Sequence, residues 1–130
     1  MRELGEGAFG TVSLAVHKHS GIQFAIKFVD NSLQKPQDLE ECVRETETQQ
    51  RVVSEYVAKV HHWKVCSDKF LLVVMEVAAG GELFDVLVNK DKAAAIDEAQ
   101  RWEWIWQLLQ GIANCHERGV AHLDLKAQVR

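Results

Sequence analysis

Leu4-Gly5-Glu6-Gly7-Ala8-Phe9-Gly10-Thr11-Val12, followed one strand later by Ala25-Ile26-Lys27, is the stretch on which the fold turns. Gly5, Gly7 and Gly10 fit GxGxxG, where glycines let backbone N–H groups approach phosphate oxygens closely. Alone that pattern is weak, and a glycine-rich hairpin without a ligand explains it too. A dinucleotide-binding loop is the first rival, because Asp30 lies 20 residues past Gly10, where an acid for ribose would be sought. Such a loop follows a strand and opens a helix. Here only four residues precede it, and Thr11-Val12-Ser13-Leu14 is strand-like. A Walker A loop is excluded, since no Gly-Lys-Ser/Thr follows.

Outward from the loop, Val12, Leu14 and Val16 alternate at strand period, and Ser20-Gly21 signals a turn. Ile22, Phe24, Ile26 and Phe28 alternate in turn, which makes a second strand antiparallel to the first. Alternation sets Ala25 and Lys27 on one face, across the hairpin from Val12. The pair would form an apolar slot for a flat base beside an ammonium for phosphate. After Pro36, the spacing of Leu39, Val43, Thr46, Gln50 and Val53 predicts a helix. Residues 56–65 and 69–77 read as two further strands, and Ala78-Ala79-Gly80-Gly81 as a hinge. That hinge divides the chain into residues 1–77 and 78–130. Residues 82–88 form a short helix candidate. Asp97 with Gln100 is a capping-box start for a long helix reaching about Arg118, with Gly119 as its stop. Trp102, Ile105, Trp106, Leu109 and Ile112 share one broad face of it, which predicts a place inside a sizeable core.

Loop, spacing and strand context together resemble the eukaryotic protein kinase family, whose signature set joins this glycine loop to a V-A-I-K lysine. The resemblance implies an α+β, protein kinase-like fold: a five-stranded antiparallel N-lobe with the family's C helix, then a partial helical C-lobe with its D and E helices. By resemblance Leu4, Gly5, Glu6, Gly7, Ala8, Phe9, Gly10, Val12, Ala25 and Lys27 bind ATP. Glu45, in Arg44-Glu45, is the expected partner of Lys27; the alternative is a solvated helix glutamate among Glu40, Glu41 and Glu47. Leu72-Val73-Val74-Met75-Glu76-Val77 resembles the fifth strand and hinge, with Met75 as gatekeeper and the Glu76–Val77 backbone facing adenine. Gly80-Gly81-Glu82-Leu83-Phe84-Asp85 is similar to calmodulin-dependent and checkpoint-type kinases, where Glu82 would reach ribose or a basic substrate residue.

Val120-Ala121-His122-Leu123-Asp124-Leu125-Lys126 resembles the catalytic loop H-R-D-L-K. By resemblance Asp124 accepts the substrate hydroxyl proton and Lys126 neutralises the γ-phosphate, the Ser/Thr-kinase form of the loop. His122 is expected to be a buried structural histidine. Leu123 stands where the family has arginine, which puts coupling to activation-loop phosphorylation in doubt. Ala127, Gln128 and Val129 replace Pro, Glu and Asn, and Val129 has no oxygen for Mg²⁺. The expected activity is ATP-dependent Ser/Thr phosphorylation, this chain being an incomplete and inactive piece that ends before any D-F-G segment. The alternative is a degenerate, non-catalytic nucleotide-binding or protein-interaction module. Mg²⁺ is implied for the family, while its ligands are missing here. A protein substrate or partner is implied as well.

The remaining features narrow the class. Lys and Arg number 15 against 19 Asp and Glu, a net −4 that argues against a nucleic-acid binder driven by phosphate neutralisation. Cys42, Cys66 and Cys115 form no CxxC pair and suit a reducing compartment, so the expected location is intracellular, in cytoplasm or nucleus. No secretory or lipidation signal is visible, and the longest apolar run, 70–75, is too short to span a bilayer. His61-His62 with Cys66 lacks the ligands to complete a metal site. His17 and His19 are expected to be solvated, and core packing explains Trp102 and Trp106 better than a cofactor stack does. An unfinished core around the tryptophans also predicts self-association through that helix.

Overall fold

Five strands form one antiparallel sheet: β1 (Arg2–Gly7), β2 (Gly10–Val16), β3 (Gln23–Asp30), β4 (Val60–Ser67) and β5 (Phe70–Met75), with period-two apolar patterning in β2 and β3 and a continuous apolar run in β5. Their order across the sheet is β1-β2-β3-β5-β4, and every neighbouring pair is antiparallel. The structure is a computed structural model and describes residues 2–7, 10–30, 32, 36–67 and 69–127. These fall into two compact units, residues 2–53 with 58–77 and residues 54–57 with 78–127. The architecture is the α+β one expected, a five-stranded antiparallel sheet with helices. Among the described residues no helix is long and apolar enough to cross a membrane.

In the first unit, Gly21 takes a left-handed φ of 72° and closes the β2–β3 turn with a 2.9 Å bond from its N–H to the His17 carbonyl. The register Ala25↔Met75, Lys27↔Val73 and Val29↔Leu71 puts one face of β3 and β5 side by side. Helix α1 (Pro36–Arg51) covers that face, and Val29, Leu39, Cys42, Val60, Leu71 and Val73 form its core. Pro36 opens α1, where a missing N–H costs nothing. Thr46 is buried and polar, and its hydroxyl donates to the Cys42 carbonyl at 2.7 Å.

Two expectations are corrected here. The apolar stripe of α1 does not continue through Gln50 to Val53. Gln50 is exposed and accepts from the Trp63 indole N–H at 3.0 Å. Val52 is 4% exposed and Val53 72%, because α1 stops at Arg51 and a tight bond from the Val52 N–H to the Gln49 carbonyl breaks the helical period. Nor does a strand begin at residue 56. β4 starts at Val60, since Tyr56 is engaged in the second unit, its ring meeting Trp106 edge-on at 5.6 Å.

The second unit holds α2 (Leu83–Val88), α3 (Lys90–Ala95) and α4 (Glu98–Glu117). The short α3 was not expected; Asn89 separates it from α2 and caps it, its side chain accepting from the Lys92 N–H at 3.0 Å. Asp97 caps α4 as expected, accepting from the Gln100 N–H at 2.7 Å. Gly119, at φ 70°, turns the chain after α4, and the Val120 N–H reaches back to the Cys115 carbonyl. The core position expected for α4 is not found. Gly111 is its one fully buried residue among those described, while Trp102 is 62% exposed. The described part of this unit offers such a wide apolar face little to pack on beyond Tyr56, two short helices and a loop.

Candidate functional site

The glycine loop is shaped by one close approach. Gly10 has φ 153°, and a Cβ there would collide with the carbonyl oxygen of Phe28 on β3. Leu4 is the extra residue of a bulge, because Glu3 pairs with Ser13 and Gly5 with Val12. Gly5 itself is open, with nothing within 4 Å of a Cβ built on it. Glu6 and Gly7 pair with Thr11 and Gly10, whereas Ala8 and Phe9 lie outside the described residues.

Cross-strand pairing then brings Val12 opposite Lys27 and Leu14 opposite Ala25, as alternation predicted. Ala25 is buried and Lys27 half-buried on the sheet face that α1 covers. The ammonium of Lys27 is felt at Cys42. Burial pushes the Cys42 thiol up, Lys27 opposes that, and Glu45, Asp38 and Glu41 reinforce it. Glu45 is exposed, and among the described residues no ion pair joins it to Lys27. At about 100° per residue Glu45 stands roughly a quarter turn from the inward stripe of Leu39, Cys42 and Thr46. Met75 packs against the core, and the Glu76 N–H donates to the Lys59 carbonyl at 3.0 Å, with half-buried Val77 following.

In the second unit Glu82 precedes α2 at its N-cap without a side-chain capping bond. In the run from Val120, the Ala127 carbonyl accepts from the Phe84 N–H at 3.0 Å. Within it Lys126 Nζ lies 2.5 Å from Asp124 Oδ2. The Asp124 carboxyl is held below the usual carboxylate range, first by the hydrogen bond from Lys126, then by the lysine charge, with His122 a smaller contributor. His122 is exposed, which corrects the expectation of a buried histidine; its Nδ1 accepts from the Asp124 N–H at 3.3 Å. Gln128 and Val129 lie outside the described residues.

The protein kinase domain family model matches residues 1–128 of this sequence. The chain belongs to the protein kinase domain family. This kinase chain is 32% identical over 126 residues to a calcium/calmodulin-dependent protein kinase type II of Caenorhabditis briggsae, 97% of this chain and 23% of that protein. It is 36% identical over 130 residues to CBL-interacting serine/threonine-protein kinase 1 of Arabidopsis thaliana, 98% of this chain and 28% of that one. With CBL-interacting protein kinase 21 of Oryza sativa subsp. japonica it shares 36% identity over 128 residues, 98% and 24% of the two lengths. The kinase chain thus spans about a quarter of the length of these relatives. The kinase family uses ATP and Mg²⁺ and acts on protein substrates. Sequence reasoning missed Cys42 as a buried core residue whose thiol feels the Lys27 charge, although Leu39, Cys42 and Thr46 carry the required three- and four-residue spacing.

Proposed function

We propose that this chain is part of a protein kinase that transfers the γ-phosphoryl group of ATP to Ser/Thr hydroxyls of protein substrates. The observation that carries the reading is the register of Val12, Ala25 and Lys27 on one face behind a loop that only Gly10 allows. In this account Leu4, Gly5, Glu6, Gly7, Ala8, Phe9, Gly10, Val12 and Ala25 cradle the nucleotide, and Met75 with the Glu76–Val77 backbone meets the adenine. Lys27 holds phosphate charge, Glu45 serves Lys27, and Glu82 meets ribose or a basic substrate residue. Asp124 takes the proton from the attacking hydroxyl, and Lys126 screens the charge that develops on the phosphoryl group. An ammonium on a half-buried face and a carboxylate kept ionised suit those roles. Mg²⁺ would neutralise the phosphates; the valine at position 129 offers it no oxygen. Unpaired Cys42, Cys66 and Cys115 fit an intracellular setting.

Titration of the 130-residue chain with ATP, with and without Mg²⁺, tests the nucleotide half. Weak binding lost in Lys27→Met and barely strengthened by Mg²⁺ is expected; no binding in either condition would sink it. A second reading, a non-catalytic nucleotide-binding or protein-interaction module, is favoured by the exposure of Glu45, which forms no ion pair with Lys27 among the described residues. On the first reading too the 130-residue piece transfers no phosphate at a useful rate, so robust phosphorylation of a Ser/Thr peptide, abolished by Asp124→Asn, would rule out the non-catalytic module.

A further inference from the structure

Strand β5 reads Phe70-Leu71-Leu72-Val73-Val74-Met75, apolar at every position, as strands covered on both faces do. Within the first unit only one of its faces is covered. Leu71 and Val73 lie in the core with Leu39 and Cys42 of α1, the one helix described in that unit, while Phe70, Leu72 and Val74 belong to the opposite face. Phe24, Ile26 and Phe28 of β3 share that face, with Ile26 paired to Val74 and Phe28 to Leu72. Phe28 stacks on Phe70 at 5.4 Å and is still 39% exposed. An antiparallel sheet that meets water on one side ordinarily turns polar residues outward. The centre of this face is apolar instead.

Its two edges carry opposite chemistry. Two rows of paired residues cross the whole sheet, Glu3–Ser13–Ile26–Val74–His62 and Glu6–Thr11–Phe28–Leu72–Lys64. Each row has an acid at its β1 end and a basic residue at its β4 end, and β3 is the middle strand of the five. Glu3, His62 and Lys64 are exposed. We propose that this face is an isologous interface, and that its occupant is a second copy of this chain related by a twofold axis along β3. That axis lays each row on its own copy turned end for end. Ile26 and Phe28 then meet themselves, and each acidic end meets a basic end, twice per dimer. A twofold axis across the strands would instead set acid on acid and base on base, so the charges select between the two arrangements. Stacked sheets sit about 10 Å apart with strands within about 30° of each other, which an axis along β3 permits. No nucleotide takes part, so the interface stands or falls independently of the kinase reading.

Sedimentation of the 130-residue chain over a range of concentrations tests this, in a Trp102→Gln background that thins the apolar face of α4. The sheet amide spectrum by NMR is the folding control. The background chain should dimerise as concentration rises. His62→Glu sets a carboxylate against Glu3 of the second copy and should weaken the dimer about tenfold or more. Glu3→Lys added to His62→Glu should restore most of that loss. Phe28→Glu, which would meet itself on the axis, should leave a monomer. A chain monomeric at every concentration would overturn the proposal, and so would a loss in His62→Glu that Glu3→Lys does not restore. A dimer indifferent to both His62→Glu and Phe28→Glu would overturn it too, and would leave α4 as the face on which copies meet.

Discussion

Gly10 and Asp124 show two ways in which a single residue matters here. At Gly10 a side chain has no room, because the Phe28 carbonyl occupies the place of its Cβ and φ lies in the glycine region. Gly10→Ala should cost on the order of 2–3 kcal/mol, combining backbone strain with displacement of β3. Thermal unfolding would measure it, and an unchanged Tm would mean that the loop relaxes freely. Asp124 works through charge. Its carboxyl ionises more readily in the fold than in the unfolded chain. The stabilisation is therefore complete above the ordinary carboxylate pKa of about 3.9 and disappears as pH falls through the lower folded value. In Lys126→Gln the carboxyl should titrate close to its ordinary range. Denaturation of both proteins at a series of acid pH values checks this, and the curves should converge once Asp124 is protonated. Both residues stood out in the sequence. The collision at Gly10 and the ion pair at Asp124 needed neighbours distant or folded back in space.

Among the elements, caps and core positions separate contacts that stabilise from those that merely occupy a place. Asp97 accepts the Gln100 N–H at the start of α4, so Asp97→Ala should lose about 1 kcal/mol. Glu82 sits at the corresponding position of α2 with no such bond, and Glu82→Ala should be close to neutral in stability. Matched denaturant titrations test the pair; equal losses would deny the distinction. Leu39→Ala on α1 should cost about 2–5 kcal/mol, since the leucine is packed with Val29, Cys42 and Leu71. Strand alternation and the Asp97 cap were readable because each depends on residues a few positions apart. The end of the α1 stripe and the start of β4 were not. Val52 turns in where the helical period has lapsed, and residues 54–57 join another unit than their neighbours in sequence.

For the whole molecule, the exposed face of α4 has a consequence in solution. Trp102, Ile105, Leu108 and Leu109 are all exposed, and a large aromatic carries about 150–250 Å² of surface. The 130-residue chain should self-associate and bind ANS, with sedimentation giving the stoichiometry. Trp102→Gln should weaken association more than Trp106→Gln, because Trp106 already spends an edge on Tyr56. A compact monomer without ANS binding would contradict this. The sequence by itself determined the family, the α+β class, the antiparallel β2–β3 pair and the common face of Val12, Ala25 and Lys27. The family, and with it the α+β class, follow from the match of the glycine loop, Ala25-Ile26-Lys27 and the Asp124 loop to the family's motifs, while the strand pair and the common face follow from local periodicity, whose constraints act within a few residues. The tertiary structure alone settles that Glu45 is exposed while Cys42 is buried in the core, that His122 stays at the surface, and that α4 leaves Trp102 and Trp106 exposed. Each of those depends on which surfaces meet across the fold, and periodicity says that a face is apolar without saying what, if anything, will cover it.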